Sequence, residues 1–345
     1  MGIKRRMMRA AVVAAAMFAA VILIGRNEDS RQSELAKSGQ IFLYGEAHGV
    51  EVILEDELRL WEKYYHEDGM RHLFVELAYY DSEILNMWMQ EGNDNILDEW
   101  FEGLKRTAAY TESVKDFFRQ IKKSCPKTIF HGTDVGHQYD TTGRRYLEYL
   151  ELQGKEDTEE YRLAEEAAEQ GRYYKENSDD EYREGKMAEN FIREFDKLDG
   201  LSVMGIYGGA HTAIGGTARG TQSVPCMANQ LHGRYGGTVV QYLSRGFLET
   251  DIADKNYRVL YINTFLNGAE CVCRDFIWVK DAYDDFKDSK PSGKIIYEDN
   301  FPDEVREGNI YIVVDKYEDA TSEKFYYRAV KEADKVIMEG FLVTG

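Results

Sequence analysis

The chain is short of positive charge and of cysteine, and it lacks the loops that mark two common kinds of chemistry. Lys and Arg number 43 against 62 Asp and Glu, a formal charge of -19 over 345 residues. That balance offers no basic groove to neutralise phosphates, so nucleic acid is not an expected partner. It equally disfavours adhesion of the folded body to anionic lipid. The 4 cysteines, Cys125, Cys226, Cys271 and Cys273, fall in no zinc or redox spacing. Cys271 and Cys273 would share one face of a strand, where a bridge between them is strained, so buried free thiols are expected. No Gly-x-Ser-x-Gly elbow is present, which removes the support for a serine hydrolase. No Gly-x-x-x-x-Gly-Lys loop is present either. The glycines at 205, 208, 209, 215 and 216 do not carry dinucleotide spacing.

What is present begins with a basic flank. Lys4, Arg5, Arg6 and Arg9 precede an uncharged run from Ala10 to Gly25, the order of an export signal. As a helix that run spans about 24 Å, slightly short of a hydrocarbon core of about 30 Å. No small-x-small cleavage site closes the apolar run before Arg26. The expectation is an N-terminal membrane anchor over 1–25, with its basic flank in the cytoplasm and the body outside the cell membrane, or secretion if the segment is cleaved. Residues 26–39 read as a polar linker.

From 40 to 250 apolar runs alternate with amphipathic stretches. Ile41–Tyr44, His72–Val75, Thr128–Phe130, Leu201–Tyr207 and Thr238–Leu243 read as strands. Val50–His66, the stretch from Ser82 towards Gln120, and 144–198 read as helical, the last with a break around Asn177-Ser178-Asp179-Asp180. This predicts an α/β fold, a mainly parallel sheet flanked by helices. From 251 to 345 the pattern changes. Tyr257–Ile262, Glu270–Val279, Asn309–Val314 and Lys324–Val330 read as strands with no long helix between them, a β-rich C-terminal extension.

Ligands in open α/β sheets bind beyond the carboxyl ends of the strands. The first strand delivers Glu46 and His48, the second Glu76, the third Asp134 and the fourth His211. An extended Glu46-Ala47-His48 would turn Glu46 and His48 to one side. A carboxylate beside a histidine fixes its tautomer and raises its basicity, so the ring can take a proton from water. A second histidine or an arginine would then stabilise the developing oxyanion. Alternatively, His48, Glu76 and His211 would hold a divalent metal that activates water. The spacing leaves both uses open. His66 and His72 read as surface groups, His131 and His137 as peripheral to Asp134, and His232 as an incidental loop residue.

Several blocks in order resemble a known superfamily, that of the erythromycin-esterase-like and ChaN-like haem-uptake proteins, to which the Tiki/TraB proteins are related. They are Gly45-Glu46-x-His48, Glu76, Gly132-x-Asp134, Arg183-Glu184-Gly185-Lys186-Met187-Ala188-Glu189-Asn190, and the block ending in His211. The fourth is similar to the family's Arg-Asp/Glu-x-x-Met-Ala-x-Asn helix. The block Tyr207-Gly208-Gly209-Ala210-His211 departs from the His-Asn-x-His of the esterases. The resemblance implies one pocket lined by Glu46, His48, Glu76, Arg183 and His211 as catalytic residues. Tyr44, Asp134, Asn190 and Tyr207 are expected beside substrate, Asn190 because seven residues return it to the helix face of Arg183. The implied activity is hydrolysis of an ester, lactone or amide in a small-molecule or peptide substrate, with the first-block histidine activating water. The competing expectations are haem or haem-iron binding through Tyr44, Tyr79, Tyr80 and Tyr207, and a non-catalytic interaction role.

Overall fold

The apolar runs of the first two thirds of the chain become parallel strands. In the computed structural model β1 (Ile41–Glu46), β2 (His72–Ala78), β3 (Ile129–Asp134), β4 (Val203–Gly208) and β5 (Val239–Leu243) form one sheet in the order β3-β2-β4-β1-β5. Every neighbouring pair in it is parallel. The structure describes residues 33–219, 221, 223–243, 246, 248–265, 271, 273–302 and 304–343. The anchor expected over 1–25 lies outside them. Among the described residues no helix is long and apolar enough to cross a membrane.

Both faces of this sheet are covered, as crossover helices require. Phe42, Tyr44, Val75 and Ile206 face one layer, and Leu43, Phe74, Val203 and Tyr207 face the other. The helices are α1 (Glu51–Lys63), α2 (Tyr79–Met89), α3 (Asn95–Glu102), α4 (Glu112–Ser124), α5 (Arg144–Leu152), α6 (Glu159–Asn177), α7 (Asp180–Asp196) and α8 (Met227–Tyr235). Helices α1 to α4 pack Trp61, Trp88, Trp100 and Phe118 on the first face, and α7 and α8 pack Phe191 and Leu231 on the second. The expected break near 177–180 has a clear cause. Ser178 adopts a left-handed conformation at the end of α6, and the Asp179 side chain accepts from the Tyr182 N–H to start α7.

The expected helical run over 82–120 is corrected to three helices, with the chain leaving helical geometry between Met89 and Asn95 and again between Glu102 and Glu112. Thr111 caps the last of them. His232 lies on α8, not in a loop. The end of the expected linker is docked on the domain: Ala36 is buried, and Ser38 Oγ lies 3.1 Å from Ser202 Oγ.

The C-terminal part forms a second, antiparallel sheet. Its strands are β6 (Leu248–Ile252), β7 (Lys255–Phe265), β8 (Cys273–Val279), β9 (Pro291–Ile296), β10 (Ile310–Lys316), β11 (Ser322–Glu332) and β12 (Lys335–Phe341), in the order β6-β7-β8-β10-β11-β12-β9. Ile277, Ile312 and Val314 face one core, where Val52 of α1 joins them, and Phe276, Tyr311 and Val313 face another. The fold is thus α/β with a β-rich C-terminal extension. All 4 cysteines are free and buried.

Candidate functional site

The carboxyl ends of β1, β2, β3 and β4 meet at one place, and the register of the strands decides which side chains reach it. Glu46 lies opposite Gly208 across the β1–β4 pair. A Cβ on residue 208 would come within 3.1 Å of His48 Nε2 and 3.2 Å of Glu76 Oε2, so any side chain there would press on the site. The pairing of β2 with β3 slips between Val75 and Ala78. Such an irregularity re-aims side chains, and Glu76 lies within it. Its Oε2 accepts from the Gly208 N–H.

Two histidines converge on Glu76. His48 Nδ1 is 2.7 Å from Glu46 Oε1, and His48 Nε2 is 3.6 Å from Glu76 Oε1. His211 Nδ1 is 2.6 Å from Glu184 Oε1, and its Nε2 is 3.5 Å from the same Glu76 oxygen. Each ring is therefore held at Nδ1 by its own carboxylate and presents Nε2 to a shared one. Arg183 completes the cluster. Its Nη2 donates to Glu76 Oε1 at 2.6 Å and to Asp134 Oδ2 at 2.7 Å, while its Nε donates to Asp134 Oδ1 at 2.9 Å. His137 Nε2 sits 3.1 Å from Asp134 Oδ2.

These contacts set the charges. Burial works against a charged His48 ring, but Glu76 and Glu46 outweigh it and hold its pKa well above the usual imidazole value. His48 keeps 37% of its side chain exposed, against 12% for His211. His211 is also raised: burial opposes, and the hydrogen bond to Glu184 and the charge of Glu76 prevail. Burial would push Glu76 upward, yet His48, His211 and Arg183 hold it well below the carboxylate range. Arg183 and His137 do the same for Asp134.

The five residues expected to be catalytic are thus brought together, with Asp134 beside them. Three expected neighbours of substrate lie elsewhere. Tyr44 and Tyr207 point to opposite faces of the sheet, because Tyr44 pairs with Ile206 and Gly45 with Tyr207. The Tyr44 hydroxyl lies 2.9 Å from that of Tyr64, and Tyr207 OH lies 2.7 Å from Thr133 Oγ1. Asn190 is buried and donates to the Thr133 carbonyl and to Gln170 Oε1. It fastens α7 to β3 and α6. His72 is half-buried against His131, the ring nitrogens 2.9 Å apart, not a surface group. Two site residues were not singled out from the sequence. Glu184 was visible inside the Arg183–Asn190 block. Lys316 of β10, whose Nζ lies 3.4 Å from the His48 carbonyl, carried no local signal.

The donor set does not fit the metal considered from the sequence, and of the four tyrosines considered for haem Tyr79 alone keeps partial exposure. Glu76 Oε1, the oxygen both histidines face, already holds the Arg183 guanidinium. Among the described residues no group of three His, Cys, Asp or Glu side chains is arranged to bind a metal ion. Tyr44, Tyr80 and Tyr207 are buried and offer no open ligand to haem.

Fold and site together define an α/β protein with a His–carboxylate pocket at the carboxyl ends of parallel strands. No family model and no curated protein matches the chain. Among solved structures it is similar to a mutant of the erythromycin esterase EreC in its open conformation, at 11% identity and a TM-score of 0.45, covering 61% of this chain and 71% of that one. It is also similar to a succinoglycan biosynthesis protein, at 15% identity and a TM-score of 0.44 over 60% of this chain and 66% of that one. A Bacillus cereus protein is similar at 13% identity and a TM-score of 0.42 over 61% and 67%. The chain spans about two thirds of the length of these proteins.

Proposed function

We propose that this protein is a hydrolase that opens an ester, lactone or amide by general-base attack of water. One observation carries the reading: two histidines, each fixed at Nδ1 by a private carboxylate, turn Nε2 towards one oxygen of Glu76 at 3.6 and 3.5 Å. His48, the more exposed ring, takes the proton from water at Nε2, with Glu46 holding the tautomer and favouring the imidazolium that forms. Arg183 and protonated His211 face the developing oxyanion. The proton on His48 then passes to the departing alkoxide or amine. The basic flank and apolar run of residues 4–25 support a further proposal, that the hydrolase is tethered outside the cell membrane.

A panel of p-nitrophenyl esters assayed with purified protein tests the reaction. His48→Ala should lower kcat/KM by about 10²–10⁴ and His211→Ala by about 10²–10³, with thermal unfolding unchanged within a few degrees. Folded variants as active as the wild type would sink the proposal. A Soret band on haem titration, or metal retained by the wild type and lost in His48→Ala, would replace it with the binding or metallohydrolase alternative.

A further inference from the structure

We infer that the site selects a short aliphatic acyl group, about four carbons including the carbonyl, in a small, mainly apolar cavity on one side of His48, with the leaving group in a larger cleft that carries more polar side chains on the other. The inference deepens the hydrolase reading and rests on it. Two hollows share His48 and Glu76 in their walls. One, about 80 Å³, is walled mainly by Leu54, Val75, Val114, Phe117, Phe118 and Ile206, with Glu46 and the buried Glu57 beside the two shared residues. The other, about 340 Å³, is walled by Asp81, Thr107, Asp134, His137, Gln138 and Arg183. Leu77, Leu104 and Ala109 border both.

This division orients an ester. Arg183 belongs to the cleft wall, so the carbonyl oxygen and the polar half of the substrate turn that way. The apolar chain is left to the cavity, where burial is favourable. A cavity of about 150 Å³ accepts benzene; in proportion, about 80 Å³ accepts roughly three carbons beyond the carbonyl. The water oxygen bonds to the acyl carbon, the acyl–oxygen bond breaks, and the water proton leaves through His48 to the alkoxide.

The test is the chain-length profile of p-nitrophenyl esters from acetate to octanoate, paired with NMR-detected binding of acetamide, butyramide and hexanamide. Each methylene up to butyrate should raise kcat/KM about fourfold, and hexanoate and octanoate should fall below butyrate. Butyramide should bind about fifteenfold more tightly than acetamide and more tightly than hexanamide. Ala109→Leu should move both optima to shorter chains, and Phe117→Leu to longer ones. A flat profile, or one rising through octanoate, with activity still lost in His48→Ala, would overturn the cavity assignment and leave the hydrolase reading standing. If no ester is cleaved, the hydrolase reading fails, and the amide ranking alone decides for or against the cavity.

Discussion

Glu76 and Glu46 together raise the pH at which His48 gives up its proton. The ring hydrogen-bonds to one carboxylate and faces another, so its pKa is raised above 6.5. Activity that needs the free base should therefore climb on the alkaline side of that value. Glu46→Gln keeps an acceptor for Nδ1–H but removes a charge, which lowers the ring's pKa. The midpoint of kcat/KM against pH should move to lower pH, with kcat reduced as the imidazolium loses its partner. An unmoved midpoint would show that Glu46 does not act on His48. Linkage gives a second sign. Because the folded pKa is raised, the pair's stabilisation is complete below 6.5 and is lost as pH rises through the folded value. Glu46→Gln should accordingly cost more stability at pH 6 than at pH 9 in thermal unfolding.

At the level of elements, α7 does two jobs with consecutive residues. Arg183 joins Glu76 to Asp134, while Glu184 orients His211 and accepts from the Met227 N–H, 2.6 Å away, at the start of α8. Glu184→Ala leaves a buried amide and a histidine without partners and should cost about 1–3 kcal/mol of stability. Glu184→Gln can accept one of the two bonds, so it should unfold closer to the wild type while still lowering kcat. Equal stability loss in both variants would contradict the assignment. This helix also shows what the sequence could convey. Spacing placed Asn190 on the face of Arg183, but helical period gives direction and not depth, and Asn190 is spent on Thr133 and Gln170. Tyr44 and Tyr207 were expected together beside substrate, but the β1–β4 register offsets them by one residue and turns them to opposite faces. The five parallel strands were legible because both their faces are apolar. β9 was not: five of its six residues are exposed, so no apolar pattern marks it.

At the scale of the whole molecule, the C-terminal sheet reaches the site through one buried cation. Lys316 Nζ lies 2.8 Å from Asp275 Oδ2 on the neighbouring β8 and 3.4 Å from the His48 carbonyl. The same sheet borders the 106–111 segment, whose Ala108 carbonyl would lie 2.4 Å from a Cβ on Gly49. Gly49 has φ of +69°, so two reasons keep a side chain from that position. The second sheet therefore braces the turn that carries His48. Removing Lys316 alone would strand Asp275 and cost about 3–5 kcal/mol, which confuses stability with positioning. Replacing both ions, as Lys316→Met with Asp275→Leu, should leave stability within about 1–4 kcal/mol of the wild type, in either direction. Without a donor on the His48 carbonyl, kcat should fall about tenfold while KM stays within twofold, because the turn is loosened and the hollows are not. A double variant with full kcat would mean that the sheet merely adjoins the catalytic turn. A parallel rise in KM would place its influence on the substrate instead.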